Sequence, residues 1–152
     1  MKEILFRGKR IDNGDWVNGY YYESKISGCF ILSTKFKVRG KDGVVIKDSF
    51  EVTKVIPETV GEYTGVTEFD SKDETINKKI FEGDIINYEY ETFNKQKILV
   101  KYVIQYNAYE ARFRAELTND GIMYDLLAFR ETQKRAEVIG NIYDNEELLK
   151  ND

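Results

Sequence analysis

Two stretches in the second half of the chain leave little room for anything but paired strands. Ile86, Tyr88 and Tyr90 alternate with Asn87, Glu89 and Glu91, and Ile98, Val100, Tyr102, Ile104 and Tyr106 resume the pattern against Lys101 and Gln105. A period of two sends successive side chains to opposite faces, so each stretch has one face for a core and one for water. The spacing predicts two long antiparallel strands joined near residues 92–96. Ala111, Phe113, Ala115 and Leu117, alternating with Arg112, Arg114 and Glu116, add a third strand, and Thr118-Asn119-Asp120-Gly121 is a turn after it. Residues 122–129 fit strand or helix, because Leu126, Leu127 and Phe129 fix no period.

The first third has shorter runs divided by turn residues. Asn13-Gly14 lies between two strand-like runs, residues 4–10 and 16–23, and both residue types accept positive φ, so a tight hairpin is expected. Phe30-Ile31-Leu32 reads as a short strand, and Asp42-Gly43 turns the chain into Val44-Val45-Ile46. Residues 50–56 continue in β-branched residues until Pro57, which has no amide proton to give a ladder. Between Val66 and Asn77 the apolar period disappears. That segment is expected to be an exposed loop, or a loop with one helical turn. It carries the densest acidic cluster, but Asp70 and Asp73 lack the alternating ligands and following glycine of a calcium loop.

Composition decides mainly what chemistry is available. The chain has no histidine, which removes the usual general base, the commonest zinc ligand and the centre of a Ser-His-Asp triad. An enzyme would have to rely on a carboxylate pair such as Glu82 and Asp84, or on Cys29. The carboxylates flank a glycine turn, and the thiol lies in the apolar run Gly28-Cys29-Phe30-Ile31, where a buried inert cysteine is expected. A single cysteine allows no internal disulfide, which fits a reducing cytoplasm. No apolar run approaches the ~20 residues that span a bilayer, and charge appears too early for a signal peptide, so a soluble, unprocessed protein without membrane partners is expected. The net charge of −4 argues against general attraction to nucleic acid.

Two segments are more distinctive. Ile80-Phe81-Glu82-Gly83-Asp84-Ile85-Ile86 puts a glycine between two acids where a strand begins, so a sharp turn with positive φ at Gly83 is expected. In Glu137 to Leu149, Val138, Ile139 and Ile142 read as buried. Asp144 or Asn145 can cap a short helix, Glu146-Glu147-Leu148-Leu149, whose leucines would dock on a sheet and latch the fold.

Together these segments resemble the YopX family of small phage and prophage proteins. Phe6-Arg7-Gly8-Lys9-Arg10, Asn13-Gly14-Asp15-Trp16-Val17-Asn18-Gly19-Tyr20 and residues 55–65 look like the family's opening and its lead-in to the central motif. The link from Gly65 to Ile80 is longer than is usual there, and Asn77 stands where a glycine is usual. The resemblance implies a mainly β, multi-sheet antiparallel protein with a partial SH3-like barrel, and it implies no catalytic residues. Residues 1–152 would form one domain: an N-terminal β subregion to about 65, a loop over about 66–78 and a barrel-like subregion over about 79–149.

The function expected is therefore non-enzymatic: binding of a host or phage protein, with a homo-oligomer as one form, and with no cofactor or metal. Trp16, Tyr20, Tyr21 and Tyr22 are the aromatic candidates for the interaction surface, because tyrosine and tryptophan favour binding centres. The alternative is a small barrel that binds single-stranded nucleic acid, with Lys35, Lys37, Arg39 and Lys41 on one stretch and Arg112 and Arg114 on one strand face.

Overall fold

A computed structural model describes residues 3–70, 73, 76–118, 123–125 and 135–150. The protein is mainly antiparallel β. It divides into two compact units, residues 1–63 and 64–152. Among the described residues no helix is long and apolar enough to cross a membrane.

The first unit contains β1 (Phe6–Lys9), β2 (Trp16–Ser24), β3 (Gly28–Arg39), β4 (Val45–Val55), a 3₁₀ turn at Pro57–Thr59 and the start of β5 (Gly61–Thr67). The strands lie in the order β4-β3-β2-β1-β5. At one end the sheet closes on itself. Arg10 bridges Val55, the Ile11 N–H donates to the Lys54 carbonyl (3.2 Å), and the Ile56 N–H donates to the Lys9 carbonyl (2.9 Å), giving a half-barrel. These closing bonds lie in the first unit. Thr59 secures the join: its Oγ1 accepts the Lys9 N–H (2.9 Å) and donates to the Ile56 carbonyl (2.7 Å).

Both turn signals produce hairpins, but with longer turns than a two-residue one. The Arg10 N–H bonds the Asp15 carbonyl and the Gly14 N–H bonds the Arg10 carbonyl, so four residues form the loop and only Gly14, at φ +77°, is left-handed. Between β3 and β4, the Gly40 N–H reaches the Val44 carbonyl (2.8 Å) across Lys41-Asp42-Gly43, and Asp42 Oδ1 accepts the Val44 N–H. Three-residue loops of this kind are the next most favoured after the tight primed turns. β3 also runs well beyond the three residues expected of it.

In the second unit β6 (Phe69–Asp70), β8 (Asp84–Glu91), β9 (Lys97–Asn107), β10 (Arg112–Leu117), β11 (Met123–Asp125) and β12 (Arg135–Asn141) form a sheet in the order β11-β10-β9-β8-β12-β6. β7 (Lys79–Phe81) lies beside β5, and the Thr64 hydroxyl donates to the Ile80 carbonyl (2.9 Å). The register follows the alternation: Ile86 pairs with Tyr102, Tyr88 with Val100, Ala115 with Ile104 and Phe113 with Tyr106. The resulting core contains Ile80, Ile86, Tyr88, Tyr102, Ile104, Ala115 and Ala136, with the Tyr88 and Tyr102 rings edge to face at 5.3 Å. Truncating a fully buried isoleucine such as Ile104 to alanine should cost about 2–5 kcal/mol.

The loop expected after Val66 is partly strand. β5 continues to Thr67, and Phe69–Asp70 pairs with Ala136 and Arg135 of β12. Phe69 packs on the core, while Glu68 accepts the Val138 N–H (2.7 Å) and faces Lys78 at 3.4 Å. In the 122–129 segment, Met123–Asp125 is strand β11, and the rest of that segment and the turn at 119–121 fall outside the described residues.

The C-terminal segment ends in a 3₁₀ turn, Glu146–Leu149, where a short helix was expected. Asn145 occupies the N-cap position but does not cap the turn. Its Oδ1 accepts the Asn141 N–H (3.2 Å) instead, and Asn141 Oδ1 in turn accepts the N–H groups of Tyr143 and Asp144 (3.0 Å each). With Asn145 Oδ1 committed backwards, the last turn lacks a cap from which a longer helix could start. Lys101 Nζ donates to the Leu148 carbonyl (3.2 Å), and Leu149 borders a small cavity with Val103, Glu116, Leu117 and Thr118.

Candidate interaction surface

The two distinctive motifs meet at one turn. Gly83 has φ +84°, its N–H donates to the Ile104 carbonyl (2.8 Å), and its own carbonyl accepts the Ile142 N–H (2.9 Å). The buried Asp84 closes the same turn by accepting the Phe81 N–H on Oδ2 (2.7 Å). One of the two carboxylates considered for catalysis thus has a role in shaping the turn between β7 and β8. Asp70 of the acidic cluster is likewise engaged, 3.8 Å from Arg135 Nε. Among the described residues no three His, Cys, Asp or Glu side chains gather as a metal site would require.

Cys29 is buried, with its Sγ 3.1 Å from the Tyr21 hydroxyl. That hydrogen bond, and burial after it, hold the Tyr21 phenol well above the usual tyrosine range. Tyr21 therefore belongs to the interior of the half-barrel with Phe6, Val17, Ile31 and Val55, and not to the exposed aromatic set.

Trp16, Tyr20 and Tyr22 share the other face. Pairing sets outward side chains in rows across the strands: Lys9 beside Trp16, Arg7 beside Asn18, Tyr20–Leu32–Val52 across β2, β3 and β4, and Tyr22–Phe30–Lys54 next to it. Tyr20, Tyr22 and Val52 each keep about three-fifths of their surface in water (60%, 63% and 65%), and Phe50, one row further along, is also exposed. Trp16 is half-buried, because the Arg7 guanidinium lies 4.7 Å above its ring and the Lys9 ammonium 5.9 Å away. The Lys54 ammonium sits 6.0 Å from the Phe30 ring. Cations held over aromatic faces in this way gain about 0.5–1 kcal/mol at exposed sites and stiffen the surface.

The arginine pair is differently placed. Arg112 and Arg114 lie on β10 in the second unit, and both face Glu110: Arg112 Nε is 2.9 Å and Arg114 Nη1 3.4 Å from its Oε2. The Arg114 side chain is largely buried. A shared carboxylate reduces what this pair could offer to phosphates. In the first unit, Arg39 donates from its guanidinium to the Gly43 carbonyl (2.8 Å).

Phe30, Leu32, Val52 and Lys54 join this face through strand pairing and are not among the residues expected there. The signal was present, since Phe30 and Leu32 alternate with Cys29 and Ile31, but four apolar residues in a row hide a period of two.

A family model described as "YopX protein" matches residues 5–150. No curated protein matches the chain.

Proposed function

The chain belongs to the YopX family, and on that premise we propose that it is a phage- or prophage-encoded, non-enzymatic binding protein. It acts in the bacterial cytoplasm and docks a host or phage protein on the outward face of β2–β4. The half-barrel that carries this face is read as SH3-like. The observation that supports the reading is the pair of rows Tyr20–Leu32–Val52 and Tyr22–Phe30–Lys54, an apolar centre left in water. Contiguous exposed patches of this kind mark interaction sites, and tyrosine is favoured at their centres. The absence of histidine and the structural use of Asp84 and Cys29 speak against catalysis.

The test is a photoactivatable phenylalanine analogue introduced in cells at Tyr20 and, in a second strain, at the still more exposed Phe93. The expected result is one discrete adduct from position 20 only, identified by mass spectrometry and lost when Tyr22 is also changed to alanine. An adduct to the chain itself would identify a homo-oligomer. Equal labelling from both positions, or none from position 20, would reject the proposal.

A further inference from the structure

The charge on this face narrows the kind of partner it fits. The chain as a whole is acidic, at −4. From β1 to β4, as far as the row that pairs Thr34 with Phe50, the positions facing outward hold Arg7, Lys9 and Lys54 and no carboxylate. Lys54 is exposed and makes no ion pair among the described residues. The negative surplus of the chain is thus carried elsewhere, and the apolar rows end at Lys54, which no carboxylate offsets among the described residues.

We infer that the occupant is an acidic protein segment with interspersed apolar or aromatic side chains. This deepens the binding role proposed above and rests on it. Carboxylates of the segment would meet Lys54, while its apolar groups cover Tyr20, Leu32 and Val52. Complementary charge of this sort sets partner choice and the rate of encounter. A second copy docking by the same face brings like charge to like charge, which is penalised. Single-stranded nucleic acid could stack bases on Tyr22 and Phe30, but the chain's net charge of −4 opposes a polyanion whose phosphates each need a cation.

The experiment uses the full chain and four probes: a random glutamate–tyrosine copolymer, polyglutamate, a lysine–tyrosine copolymer and oligothymidylate. Binding is followed by fluorescence anisotropy. The glutamate–tyrosine copolymer should bind best, polyglutamate more weakly and the lysine–tyrosine copolymer not at all. Lys54→Glu and Tyr22→Ala should each weaken the first by about tenfold or more, while Tyr109→Ala, at an exposed hairpin tip of the second unit, leaves it unchanged. Lys54→Gln, which cannot introduce repulsion, should give a smaller loss in the same direction and serves if the reversal impairs folding. If the lysine–tyrosine copolymer binds equally well through Tyr22 and Lys54, the acidic preference is overturned while the docking face stands. Tighter binding of oligothymidylate through those residues assigns the face to nucleic acid and overturns both readings. Self-association abolished by Tyr22→Ala, without copolymer binding, assigns it to a second copy. Indifference to every face variant, or no binding of any probe, removes the face itself.

Discussion

Gly83 and Gly14 both hold left-handed backbone, but a side chain would meet very different surroundings at the two positions. A Cβ on Gly14 meets nothing within 4 Å, whereas one on Gly83 comes to 3.0 Å from Tyr143 Cε2 and 3.6 Å from Ile142 Cγ1. Gly14→Ala should therefore cost only the conformational penalty of about 1–2 kcal/mol. Gly83→Val adds the collision and β-branching, for a total of about 2–4 kcal/mol. Chemical denaturation of both variants measures the difference, and equal losses would mean that Tyr143 and Ile142 yield freely. Gly83 was legible in the sequence because a glycine between two acids at the start of a strand serves the backbone and adds nothing to a core. At Asn13-Gly14 only the glycine's conformation was legible. The length of the turn depends on which backbone groups close it, here Arg10 with Asp15, and residue preference does not specify that.

Among the elements, the terminal motif shows how one side chain can set a segment's path. Gly140 lies at a bulge where pairing with β8 shifts, and a Cβ there would come to 2.5 Å from Asn145 Oδ1, the atom that accepts the Asn141 N–H. Asn145→Ala should destabilise by about 1–2 kcal/mol through the lost hydrogen bond. Gly140→Ala should cost less in the Asn145→Ala background than alone, because the atoms it meets first are then gone. A double-mutant cycle by thermal or urea unfolding would detect that coupling, and strict additivity would refute it. The long strands were legible because Tyr88, Tyr102 and Ile104 repeat at a period of two. β6 was not, because two residues cannot display a period and the neighbouring Glu68 looks like loop chemistry until its bond to Val138 is seen. Ile85 and Val103, buried on the face that alternation assigns to water, were hidden for a related reason. Burial of a second face depends on what the chain later lays over it.

For the whole molecule, alkaline pH supplies a test. Burial first, and proximity to Tyr102 second, hold the Tyr88 phenol well above its ordinary value in the folded state. The folded protein thus favours the neutral phenol. That stabilisation is complete below pH about 10, the unfolded value, and is lost as pH climbs toward the higher folded value. Tyrosinate absorbance should accordingly show a late-titrating class that includes Tyr88 and Tyr21 and appears together with loss of secondary structure. Tyr88→Phe should move the alkaline unfolding midpoint upward, and an unchanged midpoint would show that another group controls the transition. At this scale the sequence made the β class and the central meander plain, along with Trp16, Tyr20 and Tyr22 as candidates. How those three combine with Phe30, Val52 and Lys54 was not plain, because a surface spread over three strands depends on register, which sequence distance does not reveal.

The position of β12 also governs the order of assembly. β12 is the last strand in sequence, yet it lies between β8 and β6, and the Ile142 N–H that follows it bonds the Gly83 turn. In the first unit, β1 to β4 pair as successive hairpins. During synthesis these hairpins can therefore form from contacts close in sequence, before the bonds between residues 9–11 and 54–59 close the unit. The second unit must keep both β6 and an edge of β8 unsatisfied until about residue 142 has emerged, so the growing chain passes through an interval with a template for strand addition exposed.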